Sequence, residues 1–172
     1  MKMLTDNCET VESCLAILQR CTTLIETTSD EEYTTVVLGE SSIGAHIRHS
    51  LDHFYSFFKG LDTGRCDYDS RDRNPLIETD RGFALKKVVE LSSKLSKLQE
   101  TSESLQITQL YHCESPVIQI ESTVQRELMF LMHHTLHHLA LIAFLMKVQG
   151  LEVDQKLTLA FGTEKLQNEM IG

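Results

Sequence analysis

"STVQRELMFLMHHTLHHLALI" (Ser122–Ile142) decides how this chain folds. Its apolar residues recur every three or four positions, the signature of a helix with one buried face. The pattern predicts a helix from about Ser122 to Gln149, with Ser122-x-x-Gln125 as a capping box and Gly150 as the stop. At 1.5 Å per residue such a helix is about 40 Å long. On a wheel of about 100° per residue with His134 at zero, Leu131, His138, Leu141, Ile142 and Leu145 fall within about 80°, and Glu127 joins them. His133 and His137 lie about 100° and 60° to the other side. The reading puts His134 and His138 inward, His133 in solvent and His137 at the border.

The rest of the chain supplies partners for this helix. Only two prolines, Pro75 and Pro116, interrupt it. Val11, Cys14, Leu15, Leu18, Cys21 and Ile25 form one stripe and predict a first helix over about Asp6–Thr28. "TTSDEEYTT" follows as a loop. A second helix starts at Ser41 or Ser42 and ends near Lys59, with Gly60 as its C-cap. The Gly-, Asp- and Arg-rich stretch 61–80 reads as a long loop, a candidate lid, and a third helix spans about Asp80–Glu100. "SLQITQLYHCESPVIQIES" has β-branched residues and partial alternation, so it predicts a short β-hairpin. The last twenty residues read as a tail with a turn at Ala160–Thr163. Four amphipathic helices in one domain, residues 1–172, predict an all-α four-helix bundle with that hairpin before its last helix. The long second and third connections permit a topology other than simple up-down.

Composition narrows the function. The chain is 41% hydrophobic and 24% charged, ordinary for a globular protein. A formal charge of −9 with no Lys/Arg cluster argues against nucleic acid and against anionic membrane surfaces. The five cysteines contain no CxxC pair, so reduced thiols are expected rather than a disulfide framework or zinc ribbon. There is no N-terminal signal-like segment, and no run approaches about 18 consecutive apolar residues. The expectation is a cytoplasmic protein.

Seven of the eight histidines fall in two stretches, Ala45–His53 and Met132–Ala140. His134 and His138 are spaced i, i+4, which sets two imidazoles one turn apart on one face. A lone HxxxH is common by chance, and a core histidine is more often hydrogen-bonded than ligating. A third ligand must come from another helix. His46, His49 and His53 fall within about 60° of one another, at the edge of the face formed by Ile43, Ile47, Phe54 and Phe57. Any of them completes a three-His set suited to Zn²⁺, Ni²⁺ or Fe²⁺, with a coordination position left open for chemistry. "HTLHH" is not HExxH: Thr135 stands where a zinc protease needs its Glu, so that reading is rejected. Asp52 and Glu127 are candidate carboxylates to orient the imidazoles, and Arg48 and Tyr55 candidates for the mouth. A thiol at Cys66 would react only if its pKa were depressed.

"SIGAHIRHSLDHFYSFF" (Ser42–Phe58), followed by "STVQRELMFLMHHTLHHLALI", resembles the DinB/YfiT-like superfamily. The resemblance covers the second and fourth helices and most of the chain. It implies a four-helix bundle with a metal-binding histidine triad: the second His of an HxxH segment and the first and last of HxxHH. Those are His49, His134 and His138, with His53 the rival to His49. The resemblance further implies a divalent transition metal, zinc foremost. It suggests a metal-dependent transferase or hydrolase, such as a thiol transferase, acting on a small molecule with a low-molecular-weight thiol as partner. Two other readings stand beside it. One is a non-enzymatic metal-binding or stress-related dimerisation module, working as a homodimer. The other is a metal-free cluster of hydrogen-bonded histidines.

Overall fold

The computed structural model describes residues 6–98, 104–110, 112–114 and 116–171. Four long helices carry the fold: α1 (Asp6–Thr27), α3 (Ile43–Thr63), α5 (Arg81–Leu95) and α6 (Val124–Val148). Three shorter ones, α2 (Asp30–Thr34), α4 (Pro75–Thr79) and α7 (Phe161–Ile171), join them. The apolar stripes of the long helices meet in one core: Cys14, Leu18, Cys21 and Ile25 of α1, Ile47, Leu51, Phe54 and Phe57 of α3, Leu91 and Leu95 of α5, and Leu128, Leu131 and Ile142 of α6. Each such Leu, Ile or Phe stabilises the fold by about 1.5–3 kcal/mol relative to an exposed position.

The packing runs α1 to α6, α6 to α3, α3 to α5 and α5 back to α1, a closed ring. In a simple up-down bundle, consecutive helices are neighbours, and the second and fourth long helices lie on a diagonal. Here α3 and α6 pack directly against each other, so the two histidine-bearing helices share an interface.

Helix α6 starts one residue later than expected. Thr123 is its N-cap, its hydroxyl accepting the Arg126 N–H at 3.2 Å. Ser122 belongs to the preceding strand and donates instead to Glu127 Oε1 at 2.5 Å, so the box with Gln125 does not form. The buried face of α6 centres on Thr135, Leu139 and Ile142 rather than on His134. Thr135 fits there because its hydroxyl donates back to the Leu131 carbonyl at 2.8 Å. Leu141, expected inward, is 37% exposed. His134 and His138 therefore sit at the rim of the buried face, half-buried, while His133 and His137 are exposed. Helix α6 has no run of 18 consecutive apolar residues, yet by length and composition it is long and apolar enough to cross a membrane; 39% of its most apolar 18-residue stretch is buried in the bundle.

Helix α3 is capped by Ser42, whose Oγ accepts the Ala45 N–H at 3.1 Å. It continues past Lys59 to Thr63 and ends at Gly64, in the left-handed region (φ 72°). Gly60 is internal: a Cβ there would lie 2.7 Å from Cys66 Cβ. Its missing side chain lets β1 (Arg65–Asp67) lie against the helix.

Segments expected to be loops hold short elements. "TTSDEEYTT" contains α2, with a capping box between Ser29 and Glu32. The 61–80 stretch contains β1 and α4, the latter capped by Asn74 with Pro75 in its first turn. The expected hairpin forms, β2 (Ser104–Gln109) antiparallel to β3 (Ile118–Thr123), with Ser104 opposite Thr123. β1 adds in parallel to β2, Arg65 opposite Gln106, so a three-stranded sheet accompanies the mostly helical fold. Helix α5 follows its Asp80 N-cap and ends at Leu95; the expected end near Glu100 lies outside the described residues. The tail forms a 3-10 turn and then α7, where a turn at Ala160–Thr163 was expected. Arg20 of α1 holds it, bonding the Leu159 carbonyl at 2.6 Å and Glu164 at 2.7 Å.

Candidate metal centre

The site lies where α3 and α6 meet. One turn of α6 presents His134 and His138, and α3 faces them with His49. One nitrogen from each of the three lies within 4.8 Å of the others. The ring centroids of His49 and His138 are 4.5 Å apart, those of His49 and His134 5.1 Å, and those of His134 and His138 4.7 Å. A tetrahedral ion with bonds of about 2.0–2.1 Å holds its nitrogens about 3.3 Å apart, so binding needs only a modest inward rotation of the rings.

Protonation suits ligation. Burial foremost, then the charges of Arg71, His134, Arg48 and His46, pulls His49 down to about 4. Burial likewise brings His134 to about 4 and His138 to about 2. All three are neutral near pH 7, and each offers a lone pair.

The neighbours hold each ring differently. His46 Nδ1 lies 2.9 Å from His138 Nδ1. Two imidazole nitrogens at that distance share one proton, so one donates and the other accepts. With the proton on His138 Nδ1, the Nε2 of His138 keeps its lone pair. His134 stacks on Phe130, centroids 5.4 Å apart and planes 26° from parallel. Its Nε2 is buried and has no hydrogen-bond partner. A buried ring nitrogen without a partner is costly unless something binds it, and an ion between these rings would satisfy it. The residues present fit a divalent ion of imidazole preference.

His53 is the rival third ligand, and both of its nitrogens are engaged. Nδ1 lies 2.8 Å from the His49 carbonyl, which can only accept, so Nδ1 carries the proton. Nε2 then accepts from Arg71 Nη1 at 3.2 Å. His53 has no lone pair left, whereas no protein group competes for His49's ring nitrogens among the described residues. The sequence wheel could not separate them, since tautomers depend on partners from other parts of the chain.

The other candidates are placed elsewhere. Asp52 accepts from its own helix neighbour Arg48 at 3.2 Å, and Arg48 also bonds Glu78 of α4 at 2.8 Å. Glu127 accepts from Tyr68 at 2.7 Å and from Ser122. Neither carboxylate bonds an imidazole: Asp52 is taken by Arg48 of its own helix, and Glu127 by Tyr68 and Ser122. Tyr55 faces α5, with Lys87 and Lys94 each 5.6 Å from its ring centre. Cys66 is buried and its thiol is pushed up to about 12 by burial, the opposite of a reactive thiol.

Besides Phe130, the site holds two residues that the sequence does not point to. Tyr68 stacks on His53 at 5.5 Å between centroids and contacts Phe130. Arg71 donates to His53 and to the Tyr68 carbonyl, the latter at 2.9 Å. Both come from the stretch after β1, where "CDYDSRDRN" reads locally as a solvated turn. Only the three-dimensional return of that turn over α3 reveals them. No family model, no curated protein and no solved structure matches this chain.

Proposed function

We propose that this chain is a metal-binding protein of the DinB/YfiT-like kind, with His49, His134 and His138 as ligands of one divalent transition ion. The observation that carries the reading is the buried, unpartnered His134 Nε2 beside two other imidazoles, with one ring nitrogen from each of the three within 4.8 Å of the others. Zinc is the first choice, with nickel and iron next, since three neutral imidazoles suit all three.

Three protein ligands leave a coordination position open, which favours a metal-dependent enzyme over a structural site. A bound ion there supplies a Lewis acid that lowers the pKa of an incoming water or thiol. The chain's own residues do the rest. With the shared proton on His138 Nδ1, His46 accepts it and leaves the Nε2 lone pair of His138 for the ion. Phe130 and Tyr68 wall the site with apolar rings and restrict water around it. The proposed reaction is thiol transfer to, or hydrolysis of, a small electrophile, with a low-molecular-weight thiol as partner. Turnover of a panel of such thiols with electrophilic acceptors tests it. The expected result is activity that needs both metal and thiol and disappears on chelation. Metal-independent or absent turnover across the panel would leave the non-enzymatic reading.

That second reading has its own support. Met129, Leu141, Phe144 and Val148 are exposed along one side of α6, Phe144 by 59%. An apolar strip of this kind suits a metal-binding module that pairs with another surface.

A further inference from the structure

The metal centre carries no negative charge. Its three ligands are neutral, and no carboxylate bonds to any of them among the described residues. A dication placed there would stand beside a second cation, Arg71. Arg71 Nη1 bonds His53, whose ring centroid lies 4.1 Å from that of His134 and 4.6 Å from that of His49. Its guanidinium has five donors in a planar fork. Nη1 uses its two on His53 and on the Tyr68 carbonyl. Nε is buried and has no partner. Arg71 forms no ion pair with any described residue.

The carboxylates nearest in charge are committed elsewhere. Asp52 is bonded to Arg48, Asp69 accepts the Leu110 N–H at 2.7 Å, and Glu127 accepts from Tyr68 and Ser122. A half-buried guanidinium with an idle donor edge is costly to keep unless an acceptor arrives. His53 fixes where that edge stands, because its proton is locked on the His49 carbonyl and its lone pair holds Nη1.

We infer that the site's ligand carries an oxyanion, a carboxylate or a phosphate, that docks on Arg71 while another of its groups takes the open position at the ion. The inference rests on the metal reading of the same histidines and narrows its substrate class: anionic small molecules over neutral ones. A charge-assisted contact with a fork of this kind changes affinity by at least about tenfold.

The test uses the full chain loaded with Co²⁺, comparing wild type with Arg71→Met and Arg71→Lys. Each is titrated calorimetrically with inorganic phosphate, with 3-mercaptopropionate and with the neutral thiol 2-mercaptoethanol. Circular dichroism checks the fold, and Arg71→Lys keeps the charge should the Met variant fail to fold. The expected result is that Arg71→Met weakens phosphate and 3-mercaptopropionate by at least about tenfold and leaves 2-mercaptoethanol within about twofold. Co²⁺ affinity in that variant stays level or rises, since a like charge has been removed. Arg71→Lys retains part of the preference. Equal anion affinities in wild type and Arg71→Met would overturn the inference, as would an equal loss for the neutral thiol. Failure of Co²⁺ to bind would sink the metal reading alone. Phosphate titrated into the metal-free chain then decides the Arg71 claim by the same comparison.

Discussion

Five histidines crowd the α3–α6 interface, and hydrogen bonding gives them different roles. His49, His134 and His138 face one point, while His46 bonds His138 and His53 bonds Arg71. Removing His46 should therefore loosen the site without abolishing it. His46→Ala is expected to lower metal affinity by about 10–100-fold, and His49→Ala to remove it, as measured by competition with a chelating dye. Equal losses in the two variants would contradict the assignment. Acid gives a second check on the same rings. In the metal-free fold His49 and His134 sit near 4, below the ordinary 6.5 that they regain on unfolding. The unfolded chain then binds more protons, so stability rises with pH across this window. It is fully present above about 6.5 and is lost as pH falls towards 4. The urea midpoint of the metal-free protein should drop between about pH 7 and 5, with a shallower drop in His134→Gln. A flat midpoint in wild type would be the opposite result.

Gly60 shows how a residue's meaning passes to the element that holds it. Read locally it ends a helix; in the fold it is the contact that brings β1 against α3, with Cys66 closing over the bare backbone. Gly60→Ala should gain helix propensity yet lose about 1–3 kcal/mol overall from overpacking, measured by denaturant unfolding. A stabilised variant would mean that the sheet does not press on the helix. This contrast explains what was legible beforehand. The stripes of α1, α3, α5 and α6 were readable because each helix buries one face, and the hairpin because β2 alternates. Two short helices had signals that passed unread: Ser29-x-x-Glu32 is a capping box, and Asn74–Pro75 is an N-cap with proline behind it. β1 had no such signal. Three residues pairing in parallel with a strand some forty positions away leave no local period. The rotation of α6 about its axis is not legible for a related reason. Thr135 looks polar on a wheel, yet its back-bond to Leu131 lets it occupy the centre of the buried face.

At the scale of the molecule, the candidate site follows from the order of helices around the ring. A simple up-down path would have set α3 and α6 on a diagonal, with the core between their histidines. Their direct packing opens a half-buried site at the rim, lined by two helices and flanked by the turn that carries Tyr68 and Arg71. The histidine triad was legible as two clusters; the ring order that joins them, and the turn that adds a cation, were not. Binding an ion across α3 and α6 should tie them together. At a free ion concentration of about a hundred times Kd, the fold should gain about 2.7 kcal/mol, a rise in Tm of about 5–10 °C for a chain of this size. The most direct measurement is elemental analysis of tag-free protein after exposure to Zn²⁺, Ni²⁺ and Fe²⁺ in turn. A three-histidine site should hold about one equivalent of at least one of these ions per wild-type chain, and lose it in His134→Ala with the fold intact. Less than about 0.2 equivalents of every ion in wild type, or full retention in His134→Ala, would contradict it.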